Sequence, residues 1–126
     1  MDYHAGMRLS RAMIYVKDLS RMAAFYADTI GLTPIAEART RTWAEFDAGG
    51  AGFALHAIPA EIAEQIQISS PPQPREETPI KLSFAVPNLA AEVDRLRSLG
   101  VTIVERPWGA YDLVDPEGNI VGLIRG

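Results

Sequence analysis

Chemistry in this chain has to come from a short menu of side chains. Its 126 residues include no cysteine and two histidines. That excludes disulfides, thiolate metal sites and a cysteine nucleophile. One histidine, His4, lies in an N-terminal stretch expected to fray; the other, His56, stands in the run GFALHA. Two cations, Arg11 and Lys81, begin the similar stretches RAMIYV and KLSFAV, 70 residues apart (81 − 11). Guanidinium and ammonium groups offer donors and positive charge, but no lone pair for a metal. They suit an anion, with arginine's planar fork matched to a carboxylate, or an internal acid such as Glu45. No serine has a histidine in motif spacing. No glycine loop is placed to cradle phosphate, and no heme or flavin signature occurs. The run from Asp115 to Asn119, DPEGN, is too short for an EF-hand loop and reads as a turn.

The elements that must position these groups occur twice. The segment RAMIYVKDLSRMAAFYADTIGLTPIAE lies over KLSFAVPNLAAEVDRLRSLGVTIVER, and EFDAGGAGFALHAI lies over LVDPEGNIVGLIRG. Val16 falls on Val86, Gly31 on Gly100, Asp47 on Asp115 and Leu55 on Leu123. The offset drifts from 70 (86 − 16) to 68 (115 − 47), so two single-residue gaps suffice. Within each copy, Arg11 to Val16 alternates as a half-buried strand, with Ala12, Ile14 and Val16 on one face and Arg11, Met13 and Tyr15 on the other. Asp18 caps a helix over Leu19–Ile30 that Gly31 ends. Strands follow around Thr33–Ala36, Thr42–Asp47 and Gly52–Ala57. The second copy predicts a strand Ile80–Val86, the cap Asn88, a helix Leu89–Leu99 ended by Gly100, and strands Val101–Glu105, Ala110–Val114 and Asn119–Ile124. Between the copies, Pro59–Thr78 reads as a short helix followed by a proline-rich polar connector.

Composition bounds the rest. Apolar residues are 48%, charged residues 22% and the net charge is −4, the ordinary range for one globular domain. A negative balance argues against nucleic acid or an anionic membrane as partner. No apolar run approaches the ~20 residues of a membrane span. The opening MDYHAGMRLSR lacks the order of a signal peptide, so a cytoplasmic protein is expected.

The elements YVKDLSRMAAFYADTIGL, GFALHAIP, VPNLAAEVDRLRSLGV and DPEGN resemble the glyoxalase, bleomycin-resistance and extradiol-dioxygenase group, the vicinal oxygen chelate superfamily. The resemblance runs from about Leu9 to Ile124. It implies an α+β fold of paired βαβββ modules whose curved mixed sheets enclose a cleft, often within a homodimer. One domain, 1–126, would then hold module 1 at about 8–58, a linker at about 59–78 and module 2 at about 79–125. The group includes metal-dependent isomerases, epimerases, ring-cleaving dioxygenases and thiol transferases, and metal-free proteins that bind drugs. In its metal-dependent members the ligands implied by the resemblance fall here on Arg11 and Lys81 of the first strands and on Ala54 and Gly122 of the fourth. None of the four can ligate a divalent ion, and two cations nearby repel one by several kcal/mol even at a dielectric of about 20. The expectation is therefore a protein without metal or cofactor at the usual site.

Several readings stay open from sequence alone. Arg11 and Lys81 are either ion-pair partners of Glu45 or another acid, or an anion site. His56 is either a hydrogen-bonded wall residue or, with Glu45, part of a displaced metal site. Trp43 and Tyr111, equivalent at the 68-residue offset (111 − 43), and Trp108 either line the cleft or fill core. Met13, Tyr15 and Ser83 point into the cleft by alternation. The ligand-binding set expected is thus Arg11, Met13, Tyr15, Trp43, Glu45, His56, Lys81, Ser83 and Tyr111. The function expected is binding of a small, partly apolar or anionic molecule. The alternatives are a lyase, isomerase or dioxygenase using a displaced metal or acid–base chemistry through His56, Tyr15 or Lys81, and a structural dimer with an empty cleft.

Overall fold

The computed structural model describes residues 6–126; His4 lies outside the described residues. The chain divides into two compact units, Met1–Gln65 and Ile66–Gly126. Among the described residues no helix is long and apolar enough to cross a membrane.

The first unit holds strand β1 (Arg11–Val16), helix α1 (Leu19–Ala24) and a continuing wide turn (Phe25–Ile30). Strands β2 (Thr33–Pro34), β3 (Trp43–Asp47) and β4 (Gly52–Ala57) follow, then the short helix α2 (Ala60–Ala63). The second unit holds β5 (Leu82–Val86), α3 (Leu89–Ser98), β6 (Ile103–Glu105), β7 (Tyr111–Val114) and β8 (Ile120–Arg125). Both sheets have the same order, β1-β4-β3-β2 and β5-β8-β7-β6. In each, the first and fourth strands pair parallel and the remaining pairs are antiparallel. A parallel pair needs a crossover connection, which the helix and the intervening strands supply. The duplicated βαβββ unit read from the sequence is therefore the architecture of the molecule.

Helices α1 and α3 start with the same geometry. The Asp18 carboxylate accepts from the Arg21 amide and the Asn88 side-chain oxygen from the Ala91 amide, each at 3.1 Å, filling an otherwise orphan donor. Gly31 and Gly100 then end the helices at φ 93° and 83°, a left-handed conformation that costs other residues a Cβ clash. From cap to glycine the first helix carries one residue more than the second, which is one of the two gaps in the repeat. The structure absorbs that residue in the wide turn Phe25–Ile30, where the Tyr26 carbonyl accepts from both Gly31 and Leu32. An inserted residue in a helix commonly takes this form. Strand β2 stops at Pro34, short of the expected Ala36, and a single tight turn (Ala36–Ala38) follows. The Ile35 amide still donates to the Glu45 carbonyl at 2.8 Å, and it is the turn beginning at Ala36 that carries the chain off the sheet edge.

Each sheet buries one face under its helix. In the first unit Leu19, Met22 and Tyr26 pack with Val16, Ala44, Phe46, Phe53 and Leu55, all nearly inaccessible to solvent. The Tyr26 and Phe53 rings lie 4.8 Å apart between centres. In the second unit Val93 and Leu96 join Leu113, Val121 and Leu123. The DPEGN run is held by Asp115, whose carboxylate accepts from the amides of Glu117 and Asn119 and from the Asn119 side chain. That fully buried aspartate accounts for the motif as a turn. The connector also docks within its own unit, because the Arg75 amide donates to the Gly118 carbonyl at 2.8 Å.

Candidate functional site

The face of the first sheet turned away from α1 carries the chemistry. Strand pairing lays three rows across it: Arg11, Gly52 and Asp47; Met13, Ala54 and Glu45; Tyr15, His56 and Trp43. Directly paired residues share a face, so six expected site residues come together. The Trp43 indole N–H donates to Glu45 Oε1 at 3.1 Å. The Arg11 guanidinium lies over the Trp43 ring, 5.1 Å from its centre, within the range of a cation–π contact. Its Nε is 4.0 Å from Glu45 Oε2, too long for a hydrogen bond. Arg11 is thus held by the indole face and the field of Glu45, with its donors still available. The His56 ring stacks on Tyr15 at 5.4 Å and meets Trp43 edge-on at 5.6 Å. Tyr15 is 62% exposed, so the aromatic surface is open to a ligand. His56 also borders a groove of about 840 Å³ lined in part by Thr42, Ile58, Ala60 and Ala63.

The corresponding face of the second sheet is built differently. Ser83 pairs with Gly122, and Gly122 with Asp112. Asp112 is therefore the counterpart of Glu45, and it was missed in the sequence. Its carboxylate is 1% exposed and takes Lys81 Nζ on one oxygen and Arg106 Nε on the other, both at 2.7 Å. Arg106 continues to Glu76 at 3.1 Å. The Asp112 hydrogen bond first, and that of Glu76 second, hold the Arg106 guanidinium above its ordinary pKa. For Lys81 the ion-pair reading is the one seen, with Asp112 as the acid.

Tyr111 corrects the sequence reading. The uniform 68-residue offset matches it to Trp43, yet Tyr111 pairs with Leu123 and lies on the helix-facing side, 6.0 Å from the Arg97 guanidinium. The offset between Glu45 and Asp112 is 67 (112 − 45), one less than that between Ala54 and Gly122. Because side chains alternate with period two, a one-residue slip moves Tyr111 to the opposite face.

The four positions where the resemblance implies metal ligands do not fit a metal. Arg11 and Lys81 present protonated donors. Ala54 is fully buried and offers only a methyl. At Gly122 there is no side chain, and a Cβ would lie 2.5 Å from Ser83 Oγ and 3.3 Å from Lys81 Cε, so a carboxylate stem there would crowd both. Among the described residues no three His, Asp or Glu side chains gather where an ion could be held.

The fold and these strand positions define a class. The sequence model of the Glyoxalase/Bleomycin resistance protein/Dioxygenase superfamily matches residues 8–123, and the chain belongs to that superfamily. No curated relative matches it in sequence. Among solved structures it is similar to the bleomycin resistance determinant encoded on transposon Tn5, at 19% identity and TM-score 0.62, covering 95% of this chain and 98% of that one. It is similar also to TnmS3, an antibiotic-binding protein from Streptomyces sp. CB03234, at 21% identity and TM-score 0.65, covering 98% of each. A lactoylglutathione lyase from Agrobacterium tumefaciens aligns at 19% identity and TM-score 0.66, covering 97% of this chain and 96% of that one. A resistance determinant, an antibiotic-binding protein and a lyase thus share the fold, and function has to be argued from the site.

Proposed function

We propose that the chain is a small-molecule-binding member of the superfamily that works without a metal at the usual positions and binds its ligand on the open face of the first sheet. The observation that carries this is the aromatic surface of Tyr15, His56 and Trp43 beside an arginine whose donors are available. Stacked and edge-on rings favour a flat, partly apolar ligand. Arg11 adds a place for a carboxylate or other anionic substituent, and Met13 supplies an apolar neighbour. Acid–base catalysis through Lys81 has little support, since its ammonium is engaged by Asp112 at 2.7 Å. The antibiotic-binding and bleomycin-resistance proteins of the same fold support a sequestering role. The homodimer implied by the resemblance is part of this proposal, with a solution mass of twice 13.8 kDa.

A thermal-shift screen of EDTA-treated protein against mono- and bicyclic aromatic carboxylates and their neutral analogues tests the reading. Binding only the folded state at 100 times Kd stabilises by about 2.7 kcal/mol, a rise of several degrees. Protection is expected in EDTA and is expected to fall in Arg11→Ala and Trp43→Ala. Stoichiometric zinc, nickel, manganese or iron in the purified protein, with protection lost on its removal, would overturn the proposal.

A further inference from the structure

We infer that the first unit binds the uncharged ring of a small phenol in a pocket on the helix side of its sheet, where the second unit places its own tyrosine. The pocket is about 540 Å³, within the roughly 300–1,000 Å³ of small-molecule sites. Ala23, Ala24 and Ala27 line it from α1 and the wide turn, Ala36 from the turn after β2, and Ala44 and Phe46 from β3. Ala44 and Phe46 are buried against the helix. Trp43 and Glu45 alternate with them and so lie on the opposite face of the same strand.

The duplication shows what this place holds when it is filled. Ala27 and Arg97 each stand nine residues beyond a helix cap (27 − 18 and 97 − 88). Ala44 pairs with Leu55 as Tyr111 pairs with Leu123. Ala36 stands two residues beyond Pro34, which pairs with Phe46; Glu105 stands two beyond Ile103, which pairs with Leu113. In the second unit these three side chains form a cluster. The Arg97 guanidinium is 6.0 Å from the centre of the Tyr111 ring and 3.9 Å from the Glu105 carboxylate, and Glu105 pairs with Tyr111. In the first unit all three positions are alanine, and all three alanines line the pocket. The space left open is that of a phenol ring and the groups that lie against it.

Charge selects a neutral ligand. Asp28 and Arg39 border the pocket, and their charges cancel. Glu45 borders it too, but its carboxylate accepts from the Trp43 indole on the other face. An ionised ligand would lose hydration with no net charge to replace it. Arg39 commits its Nε to the Thr40 carbonyl at 3.2 Å, whereas the Asp28 carboxylate is an acceptor suited to a phenol O–H.

This inference does not rest on the ligand surface proposed above, and one titration separates the two. The full chain is titrated with 4-methylphenol, which is the tyrosine side chain alone, and with toluene and 4-methylbenzoate. Isotope-labelled alanine methyls, the Trp43 indole N–H and the His56 ring are followed by NMR, with Ala27 and Ala44 assigned by substitution to glycine. Saturable shifts from 4-methylphenol are expected at the Ala27 and Ala44 methyls. Toluene and 4-methylbenzoate are each expected to bind there about fivefold more weakly or worse, the scale of one hydrogen bond. Ala44→Tyr puts the second unit's ring into the pocket and is expected to weaken 4-methylphenol at the Ala27 methyl at least tenfold. Should that variant fail to fold, Ala27→Phe, at a half-buried position, decides alone through the Ala44 methyl. Shifts confined to Trp43 and His56 overturn the inference and leave the proposed ligand surface standing. Alanine-methyl shifts that do not saturate, that survive the blocking substitution, or that toluene or 4-methylbenzoate produces as readily overturn it as well.

Discussion

Substituting Gly122 by alanine probes the site where a metal ligand of the fourth strand would begin. A Cβ there lies 2.5 Å from Ser83 Oγ and 3.3 Å from both Ser83 Cβ and Lys81 Cε, against ordinary carbon contacts of about 3.5–4.0 Å. Rotating Ser83 about χ1 removes the first contact and leaves the other two. Overpacking of this kind costs about 1–3 kcal/mol, and the lower half applies because Ser83 is exposed. Against it, alanine in a strand gains about 0.5–1 kcal/mol over glycine from backbone entropy, and Gly122 is not among the glycines at positive φ. The net expectation for Gly122→Ala is about 0.5–1 kcal/mol of destabilisation. In a Ser83→Gly background both serine contacts vanish and the same substitution becomes stabilising by about 0.5 kcal/mol, a coupling of about 1–1.5 kcal/mol. Urea denaturation of the four proteins in the double-mutant cycle measures it. Coupling below about 0.3 kcal/mol, the usual error of additivity, means the position has room for a side chain, and the argument against a ligand there fails.

Three other outcomes follow from the geometry. Trp43→Ala is expected to weaken any ligand of the first sheet about tenfold, the scale of a lost stacking contact, while Tyr111→Ala leaves its affinity within twofold; calorimetric titration separates them, and a loss from Tyr111→Ala would restore the uniform repeat offset. Asp18→Ala and Asn88→Ala should each destabilise by about 1 kcal/mol in chemical denaturation, since both make the same 3.1 Å cap; unequal effects would show that the two helices do not start alike. Leu55→Ala, at a fully buried position, should cost about 2–5 kcal/mol, and a loss under 1 kcal/mol would contradict the packing described.

The fold was legible because it is written twice. Alternation in β1, the caps Asp18 and Asn88, and the stops Gly31 and Gly100 are local signals with local causes, and each recurs in the second copy. One gap in the repeat became the wide turn at Phe25–Ile30, a form that counting residues does not reveal. Much of the first-unit cluster was legible for the same reason: Arg11, Met13 and Tyr15 share a parity, and His56 stands two residues beyond Ala54. The second unit was harder. Asp112 sits in the run YDLV, and Tyr111 was assigned to the ligand surface from an offset one residue too large. Register in β7 depends on the loop before it, which no periodicity in four residues can fix. Arg106 carries no motif; only the fold of its loop brings it to the carboxylate that Lys81 also meets.

Metal-free binding on the first sheet is tested most directly by an NMR titration of the full chain, kept in EDTA, with a panel of mono- and bicyclic aromatics that includes 2-naphthol. Saturable shifts at the Trp43 indole N–H and the His56 ring are expected with no metal added. Shifts that bypass both residues, or that appear only once one equivalent of a transition metal is supplied, would contradict it.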